Sequence, residues 1–391
     1  MLNLIYQKER GLKMLTAGII AEYNPFHNGH RYHIEKTKEL TGADCVIAVM
    51  SGNFVQRGEP SVYSKHARAK AAVLSGADIV FELPAYFSLQ SAQGFASGGV
   101  CILNALGADI ISFGAECDNM DKLKKAGEFL QKESPAFKAE LHSNLKKGQS
   151  FAAAKTNAVN ALMPELGDLL THPNNLLACE YLSAIKAQHS ACAPVLIKRE
   201  FTRHDSADTD GIYASASFLR TELAHGRNIS RYSAALPDEK PLFLKDFEKL
   251  LLYTASVITK EELSKIPDTG DGIAERILSC DLSSLDNMLS SVKAKRFAMS
   301  RVKRVMMNIL IKNNLPRKLT PSYLRVLALN RRGAEFLHEK KNSLPLPLII
   351  KPASYKENDA IWQLEQRAAN VRSVISSSQT RDVALSPVMI K

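Results

Sequence analysis

The first half of the chain alternates short apolar runs with amphipathic stretches. Four of the apolar runs, at 15–23, 45–52, 77–84 and 108–116, are typical of buried strands. The stretches between them, such as "RYHIEKTKELTG" and "SKHARAKAAVLSG", have helical spacing. The junctions "SGAD" and "LGAD" each place a glycine where a helix ends and the next strand begins. This alternation predicts a parallel sheet covered by helices on both faces.

The pattern changes in the second half. Residues 193–201, "APVLIKREF", are one more predicted strand, and the strand signal fades after Tyr232. Beyond a linker "ALPDEKP", from Pro241 onward, the apolar positions recur at helical spacing. A proline-interrupted apolar segment at 343–354 is typical of an edge strand or a packing arm.

These patterns predict the fold class and the domains. We expect an α/β fold whose Rossmann-like, parallel-sheet domain ends at residue 235. A mainly α-helical, basic domain follows in residues 236–391.

The basic residues are concentrated late in the chain. The 391 residues include 51 Lys and Arg against 40 Asp and Glu, a formal net charge of +11. The segment from Asn287 to Ala334 holds twelve basic residues and no acidic one. Such a segment is typical of a surface that binds a polyanion, whereas an ordinary solvated helix face mixes both signs of charge. We therefore predict nucleic-acid binding. The candidate residues are Lys293, Lys295, Arg296, Arg301, Arg304 and Lys312.

The composition also indicates a compartment. No apolar run approaches the roughly 18 residues of a membrane span, and the first residues do not resemble a secretory signal. The six cysteines are scattered without a C-x-x-C pair, as suits a reducing environment. We expect a cytoplasmic protein with no membrane association, and the sequence gives no sign of a stable protein partner.

The stretch "NPFHNGH", residues 24–30, follows the first predicted strand and leads into a helix. Ligands of an open parallel sheet collect where strands end, and backbone N–H groups at a helix start can bind a phosphate. Gly29 allows the backbone to approach a ligand closely. His27 and His30 can both face one phosphate and stabilise the charge that develops at phosphorus.

Three interpretations of this stretch compete. The first is a zinc site of His27, His30 and His33, although no nearby cysteine or carboxylate completes a familiar ligand spacing. The second is an ordinary turn that is rich in histidine. The third is a nucleotide site, which the strand–loop–helix context favours. No G-x-x-x-x-G-K-[ST] motif occurs, so a P-loop is excluded.

Further motifs extend the third interpretation. "NPFHNGH" resembles the H-x-G-H signature of the nucleotidylyltransferase superfamily, and "SASFLR" at 215–220 resembles its later serine–arginine signature. "AEYNPFHNGHRYH", "MSGNFVQRGEPS", "FGAE", "HPNNLLACEY", "IKRE" and "SASFLR" occur in order, followed by "KRFAMSRVKRVMMNIL" and "YLRVLALNRRGAEFL". This series is similar to the tRNA(Met) cytidine acetate ligase family from Met14 onward. The resemblance makes residues 1–13 an N-terminal extension and residues 14–235 a nucleotidylyltransferase-like ATP-binding domain.

The resemblance implies a two-step reaction. Acetate would attack the α-phosphate of ATP, giving acetyl-adenylate and pyrophosphate. The exocyclic amine of the wobble cytidine in elongator methionine tRNA would then take the acetyl group, giving N4-acetylcytidine. Such chemistry requires positioning and charge neutralisation more than covalent help from the protein. Magnesium is expected with the triphosphate.

The resemblance also implies roles for particular residues. His27 and His30 would stabilise the α-phosphate, and Arg220 would hold the departing pyrophosphate. Independently of the resemblance, Gln56 and Arg57 lie on a polar loop after the second strand that either contacts the acid or the nucleotide or is an ordinary solvated loop. The implied ATP-binding residues are Gly18, Ile19, Ile20, Ala21, Glu22, Tyr23, Asn24, Pro25, Phe26, His27, Asn28, Gly29, His30, Gly114, Asn175, Arg199 and Ser215.

Two other functions are compatible with parts of the sequence. An adenylyltransferase that makes a dinucleotide cofactor would need only the first domain and would leave the basic segment unexplained. A non-catalytic RNA-binding protein would not need His27, Gly29, His30 and Arg220 together. A tRNA synthetase would carry a K-M-S-K-S-like loop, which is absent from the sequence. Acetate and the particular tRNA follow from the resemblance alone.

Overall fold

The computed structural model describes residues 13–132, 134–149, 151–199, 211–376 and 380–391. The predicted extension, residues 1–13, lies outside this part except for Lys13. The elements of the first half are β1 (Thr16–Ala21), α1 (Asn28–Thr41), β2 (Cys45–Ser51), β3 (Phe54–Val55), β4 (Glu59–Pro60), α2 (Lys65–Leu74), β5 (Ile79–Leu83), α3 (Ala85–Ser88), α4 (Ala92–Ala105), β6 (Ile110–Ala115), α5 (Met120–Lys132), α6 (Pro135–Lys146), α7 (Phe151–Leu162), α8 (Pro173–Ala187) and β7 (Ala193–Lys198).

The second half is mainly helical, as predicted. Its elements are α9 (Ala216–Ala224), α10 (Glu248–Val257), α11 (Lys260–Lys265), α12 (Ile273–Leu278), α13 (Leu285–Val292), α14 (Met299–Leu310), β8 (Leu324–Leu329), α15 (Arg331–Lys340), β9 (Leu348–Ile349), α16 (Ala360–Ser376) and β10 (Val388–Met389). Single 3₁₀ turns occur at Pro164–Leu166, Asp168–Thr171, Ser230–Tyr232, Leu244–Phe247, Pro352–Ser354 and Asp382–Ala384. No described helix is long and apolar enough to cross a bilayer.

One large sheet organises the molecule. Its strand order is β10–β8–β5–β2–β1–β6–β7, with β9 paired to β8 at one end. The five strands that the sequence predicts, β1, β2, β5, β6 and β7, are mutually parallel. The chain runs from β1 to β2 and β5 on one side, then returns to β6 and β7 on the other. The sheet therefore has a topological switch point between β1 and β6, where ligands of such sheets bind.

The sequence explains the local geometry of β1 and α1. β1 is a central strand whose side chains are almost all buried, as its continuous apolar run requires. Helix α1 ends at Gly42, which adopts φ 65° and donates its backbone N–H to the Lys38 carbonyl. This left-handed cap lets the chain turn at once into β2.

Strand β8 is an element that the sequence pattern does not predict. It pairs antiparallel with β5 and continues the sheet on that side, although the strand signal fades after Tyr232. The segment 343–354 forms the short strand β9 beside β8, in agreement with the predicted edge strand. Residues beyond 241 thus contribute to the same sheet as residues 14–235. The domain boundary at residue 235 stays a prediction.

A buried cluster of charges ties β8 to the first half. Lys65 Nζ lies 2.6 Å from Glu82, 3.1 Å from Glu365 and 3.1 Å from Asp382. Arg325, on β8, lies 3.3 Å from Glu82 and also pairs with Asp382. All five side chains are buried, so each charge depends on its partners rather than on water.

Candidate active site

A cavity of about 230 Å³ opens at the topological switch point. It lies where β1 and β6 end, and the starts of α1, α8 and α9 contribute to its wall. Twelve of the residues that the sequence predicts for catalysis or ATP binding line it. These are Ile19, Ile20, Ala21, Glu22, Tyr23, Asn24, His27, His30, Gly114, Arg199, Ser215 and Arg220.

The two histidines cap helix α1 from its N-terminal end. His27 is the N-cap residue, and its Nδ1 accepts the backbone N–H of Gly29 at 3.1 Å. His30 Nδ1 accepts the backbone N–H of His27 at 3.3 Å. Because Nδ1 acts as the acceptor in both rings, we assign the proton of each neutral imidazole to Nε2. The rings stack, with centroids 3.7 Å apart.

Burial keeps these imidazoles uncharged. Burial, together with the nearby Arg199 and Arg220 guanidinium groups, lowers the pKa of His27 to about 3. The pKa of His30 lies well below its usual value for the same reason, with His27 as the next cause. Burial likewise lowers the pKa of His33 to about 4. At neutral pH the site therefore offers N–H donors from the histidines, while its positive charge comes from arginines.

Arg199 supplies one of these charges from the end of β7. Its backbone N–H donates to the Ala115 carbonyl at 2.9 Å, which fixes its position beside β6. Burial lowers the pKa of its guanidinium, and its Nε has no hydrogen-bond partner among the described residues. A buried N–H donor without a partner costs about 1–3 kcal/mol, so this group is suited to an anionic ligand.

Arg220 supplies the second charge from α9. Ser215, the N-cap of that helix, accepts the Phe218 backbone N–H at 3.1 Å and so fixes the helix start. Arg220 donates to the Asn24 carbonyl at 3.0 Å, and its Nε lies 4.0 Å from Glu59. The guanidinium is thereby held against the loop that carries the histidines.

Glu22 and Asn24 connect the cavity to the loop after β2. Glu22 accepts the Gln56 backbone N–H at 2.7 Å, and Asn24 accepts that of Val62 at 2.7 Å. Burial raises the pKa of Glu22, against the opposing effect of Arg57. Gln56 and Arg57 both line the cavity, where the sequence places them as candidate contacts.

Six predicted ATP-binding residues do not line this cavity: Gly18, Pro25, Phe26, Asn28, Gly29 and Asn175. At Gly18 an added Cβ would lie 2.4 Å from Leu103, so this glycine allows close packing of α4 on β1. At Gly29 an added Cβ would lie 2.9 Å from the His27 ring, which therefore needs a glycine there. Pro25 follows Asn24 through a cis peptide bond.

The other three form contacts that hold neighbouring segments in place. Phe26 is buried and its ring lies 4.9 Å from that of Tyr23. Asn28 donates to the carbonyl of Ile212 at 2.9 Å. Asn175 is buried, accepts the Cys117 backbone N–H at 2.9 Å and donates to the Leu169 carbonyl at 3.0 Å. Their assignment to ATP stays a prediction.

Nine further lining residues are not among the predicted ATP-binding residues. They come from α1, α4, β6, α8 and α9, and most are apolar or aromatic, so periodicity alone indicates core positions. These residues are His33, Phe95, Phe113, Pro173, Asn174, Leu177, Tyr181, Ala216 and Ser217. All but Phe95 lie within the quoted motifs, so only the order of elements around a switch point could have indicated Phe95.

Some of the residues predicted to bind nucleic acid are exposed, and others pair with groups of the same chain. Lys295, Arg296 and Lys312 are exposed, and Lys293 is half-buried. Arg301 pairs with Asp271 at 2.8 Å. Arg304 is buried, donates to the Gln56 carbonyl at 3.3 Å and lies 3.8 Å from Asp268.

Two further basic residues are also engaged in the fold. Lys303 pairs with Glu59 on the loop that borders the cavity. Arg325 belongs to the buried charge cluster, so it is not part of an exposed basic surface. The zinc interpretation finds no support among the described residues, where no cluster of three His, Cys, Asp or Glu could hold a metal ion.

Comparisons with known proteins agree with this geometry. A family model described as HIGH Nucleotidyl Transferase matches residues 14–384. The tRNA(Met) cytidine acetate ligase of Caldicellulosiruptor bescii is 38% identical over 383 residues, covering 92% of this chain and 94% of that protein. That of Thermoanaerobacter sp. (strain X514) is 36% identical over 363 residues, covering 87% and 89%.

Solved structures match the fold as a whole. The apo crystal structure of Thermotoga maritima TmcAL has a TM-score of 0.86 and 30% identity, covering 96% of this chain and 100% of that one. The structure of the same protein bound with alpha-thio ATP has a TM-score of 0.82 and 29% identity, with the same coverage. The chain therefore belongs to the tRNA(Met) cytidine acetate ligase family of HIGH nucleotidyl transferases.

Proposed function

We propose that this chain is an ATP-dependent ligase that acetylates the wobble cytidine of elongator methionine tRNA. The observation that carries the proposal is the neutral histidine pair at the start of α1, which shares one cavity with Arg199 and Arg220. The names of the relatives supply the acid, the base and the tRNA. The similarity to a structure bound with alpha-thio ATP supports ATP as the co-substrate.

In the first step a carboxylate oxygen of acetate attacks the α-phosphorus of ATP. A new O–P bond forms, the bond from the α-phosphorus to the bridging oxygen breaks, and its electron pair leaves with pyrophosphate. The Nε2–H groups of His27 and His30 donate to the α-phosphate oxygens as charge develops there. Arg220 neutralises the phosphates and retains the departing pyrophosphate, and Arg199 adds positive charge beside the histidines. No proton transfer is needed in this step.

In the second step the N4 amine of cytidine attacks the acetyl carbonyl of acetyl-adenylate. An N–C bond forms, the C–O bond to the phosphate breaks, AMP leaves with the electron pair, and N4 releases one proton. The base must be unpaired and turned out of the anticodon loop to reach a cavity at the end of the sheet. Lys295, Arg296 and Lys312 are exposed and would contact tRNA phosphates, which fixes the orientation of the tRNA and does not read its sequence.

Magnesium enters this proposal with the substrate. A triphosphate carries a charge that Mg²⁺ offsets while it keeps several water ligands. We therefore write the nucleotide substrate as MgATP and assign no protein ligand to the ion.

Exchange of labelled pyrophosphate into ATP tests the first step directly. We expect exchange that depends on acetate and not on glycine or nicotinate mononucleotide, both without tRNA and with total tRNA. Exchange that depends on the mononucleotide would instead support an adenylyltransferase of cofactor synthesis. Absence of exchange with every acid, even with tRNA, would contradict the proposal and leave an RNA-binding protein without catalysis.

A further inference from the structure

A second cavity, of about 50 Å³, adjoins the first. His27, His30, His33, Gly114 and Arg199 line both cavities, so the two meet at the histidine pair. A group held in the small cavity would therefore lie next to a phosphate held by the histidines in the large one.

The polar chemistry of this small cavity is that of an anion site. The Nε–H of Arg199 is buried and has no acceptor among the described residues. The nearby Glu116 is engaged elsewhere, because its carboxylate accepts from Asn174 at 2.6 Å and from the Asn175 backbone at 3.2 Å. Lys198 pairs with Asp118 at 3.0 Å on the surface. No acidic side chain is among the described residues that line the small cavity.

Apolar and aromatic side chains form much of the remaining wall. Ile197 on β7 is the register partner of Gly114 on β6, and both border the small cavity. Ala214 is buried and also borders it, and the rings of Tyr32 and Tyr213 meet edge to face at 6.5 Å. One buried cation beside an apolar wall matches a molecule with a carboxylate at one end and a short hydrocarbon at the other.

The volume limits the length of that molecule. Each water-sized group in a cavity requires roughly 10–15 Å³. The small cavity, of about 50 Å³, therefore accommodates about four non-hydrogen atoms. Acetate has four non-hydrogen atoms and fills this volume, which Ile197 and Ala214 border.

We propose that the small cavity is the subsite for the acid substrate, with Arg199 binding the carboxylate while Ile197 and Ala214 limit the chain length. This inference rests on the proposed function, since it assigns a place to the acid of that reaction. Rotation of a bound carboxylate toward the shared wall brings one oxygen to the phosphate, which is the geometry that attack at phosphorus requires.

Acid-dependent exchange of pyrophosphate into ATP, measured with acetate, propionate and butyrate, tests the subsite. Ile197→Ala lengthens the cavity, and we expect the ratio of kcat/KM for propionate to that for acetate to rise by at least tenfold. One methylene in an apolar pocket changes discrimination by roughly 10- to 200-fold. Ala214→Val narrows the cavity and should raise the KM for acetate about tenfold while the KM for ATP changes by less than about twofold.

The control is Leu196→Val, one residue earlier on β7. Because side chains alternate along a strand, Leu196 faces the opposite side of the sheet and packs against the core. It should leave the acid profile as in the wild type. Ile197→Val replaces Ile197→Ala if the larger truncation does not fold, and it should shift the same ratio in the same direction.

These measurements distinguish an error in the acid subsite from an error in the proposed function. Wild-type exchange with acetate together with an unchanged acid profile in both Ile197 variants would overturn the subsite and leave the proposed function intact. A raised KM for ATP in Ala214→Val, without a change for acetate, would overturn it as well, because the small cavity would then hold part of the nucleotide. A wild type without acid-dependent exchange would overturn both.

Discussion

At the scale of single residues, the site separates hydrogen bonding from charge. His27 and His30 are neutral because burial and two guanidinium groups oppose their protonation. In the proposed reaction they would donate N–H groups to developing charge without having to lose a proton on binding. Arg199 and Arg220 remain charged at any pH near neutral, and in the two proposals Arg220 would hold the phosphates and Arg199 the acid. The resulting donors are fixed before substrate arrives, which is the arrangement that favours a transition state.

His30→Ala tests this role. We expect the rate of acetate-dependent pyrophosphate exchange to fall by about 100- to 1,000-fold, the usual effect of removing one donor to developing charge. Affinity for tRNA should stay unchanged. His225→Ala is the matched control, because His225 is exposed just after α9 and does not line the cavity. Full exchange activity in His30→Ala would contradict the assignment.

The depressed pKa of His27 also predicts a pH dependence of stability. Its folded pKa is about 3 and its ordinary value is 6.5, so below pH 6.5 the unfolded state binds a proton that the folded state does not. Stability is therefore complete above pH 6.5 and falls as the pH decreases toward 3. The loss between pH 7 and pH 5 is about 2 kcal/mol for this residue.

Urea unfolding at pH 7 and pH 5 measures that loss. His27→Asn keeps a good helix N-cap but does not titrate, so its stability should decline less between the two pH values, by about 2 kcal/mol. An equal decline in both proteins would show that His27 is protonated in the folded state.

The sequence predicts the site residues that lie in motifs of fixed spacing better than those that lie on the buried faces of helices. His27, His30, Ser215 and Arg220 belong to motifs whose spacing is fixed by a loop or a helix start. Side chains such as Tyr181 line the same cavity but belong to helices whose other positions are core. Periodicity cannot separate a residue that faces a cavity from one that faces the core, because both lie on the buried face.

At the scale of elements, the β3–β4 hairpin joins the basic helix α14 to the cavity. Gly58, at its turn, has φ 76°, and an added Cβ would lie 2.3 Å from the backbone nitrogen of Arg304. Glu59 pairs with Lys303 of α14 and lies 4.0 Å from Arg220. The hairpin backbone thus packs against the α14 backbone, and the Glu59 carboxylate contacts both Lys303 and Arg220.

Gly58→Ala tests the close packing. The matched control is Gly148→Ala, because Gly148 has nearly the same φ of 78° but no atom within 4 Å of an added Cβ. Both variants carry the backbone strain of about 1 kcal/mol, and Gly58→Ala adds overpacking of about 1–3 kcal/mol. Thermal unfolding should show the larger loss for Gly58→Ala, together with weaker exchange activity. Equal losses would mean that the hairpin moves freely away from α14.

Element order was predictable for β1, β2, β5, β6 and β7 because apolar runs and glycine-ended helices alternate there. Strand β8 was not predictable in the same way. Its sequence "LRVLAL" contains Arg325 and lies within the basic segment, so it looks like another helical face. The cluster that makes Arg325 acceptable in a buried strand includes Glu82 and Asp382, which are distant in sequence.

At the scale of the whole molecule, the basic residues behind the net charge of +11 are of two kinds, those paired within the fold and those exposed to solvent. Arg301, Lys303, Arg304 and Arg325 are engaged with acidic partners inside the fold. The exposed remainder of the basic segment is the part that can meet a polyanion. Sequence alone cannot separate these two groups, because both contribute equally to the count of charges.

Replacing Lys295, Arg296 and Lys312 together by alanine tests the exposed group. We expect weaker tRNA binding and a salt dependence of log Kd whose slope falls by about 2–3, close to one for each lost phosphate contact. The control replaces Lys125, Lys146 and Lys147, which are exposed on α5, at the end of α6 and just after it. Equal effects of both sets would place the tRNA surface elsewhere.

The buried charge cluster gives a second prediction at this scale. It holds two cations and three carboxylates, and burial together with the charge of Glu82 raises the pKa of Glu365. A protonated Glu365 makes the cluster neutral. This stabilisation is present at pH values below the ordinary carboxyl pKa and is lost as the pH rises through the raised folded pKa.

Glu365→Gln should therefore leave the free energy of unfolding at pH 7 within about 1 kcal/mol of the wild type, since Gln resembles the protonated acid. Glu82→Gln should destabilise by about 3–5 kcal/mol, because Lys65 and Arg325 both lose a charged partner. Chemical denaturation measures both. A Glu365→Gln loss as large as that of Glu82→Gln would mean that Glu365 is ionised.

The same cluster has a consequence for how the protein is made. Lys65 leaves the ribosome 300 residues before Glu365 and 317 before Asp382. At about 5–20 residues per second, the nascent chain would wait roughly 15–60 s for these partners. During that interval β5 has an open edge that β8 later covers, so the half-made sheet is a natural client for chaperones that shield strand edges.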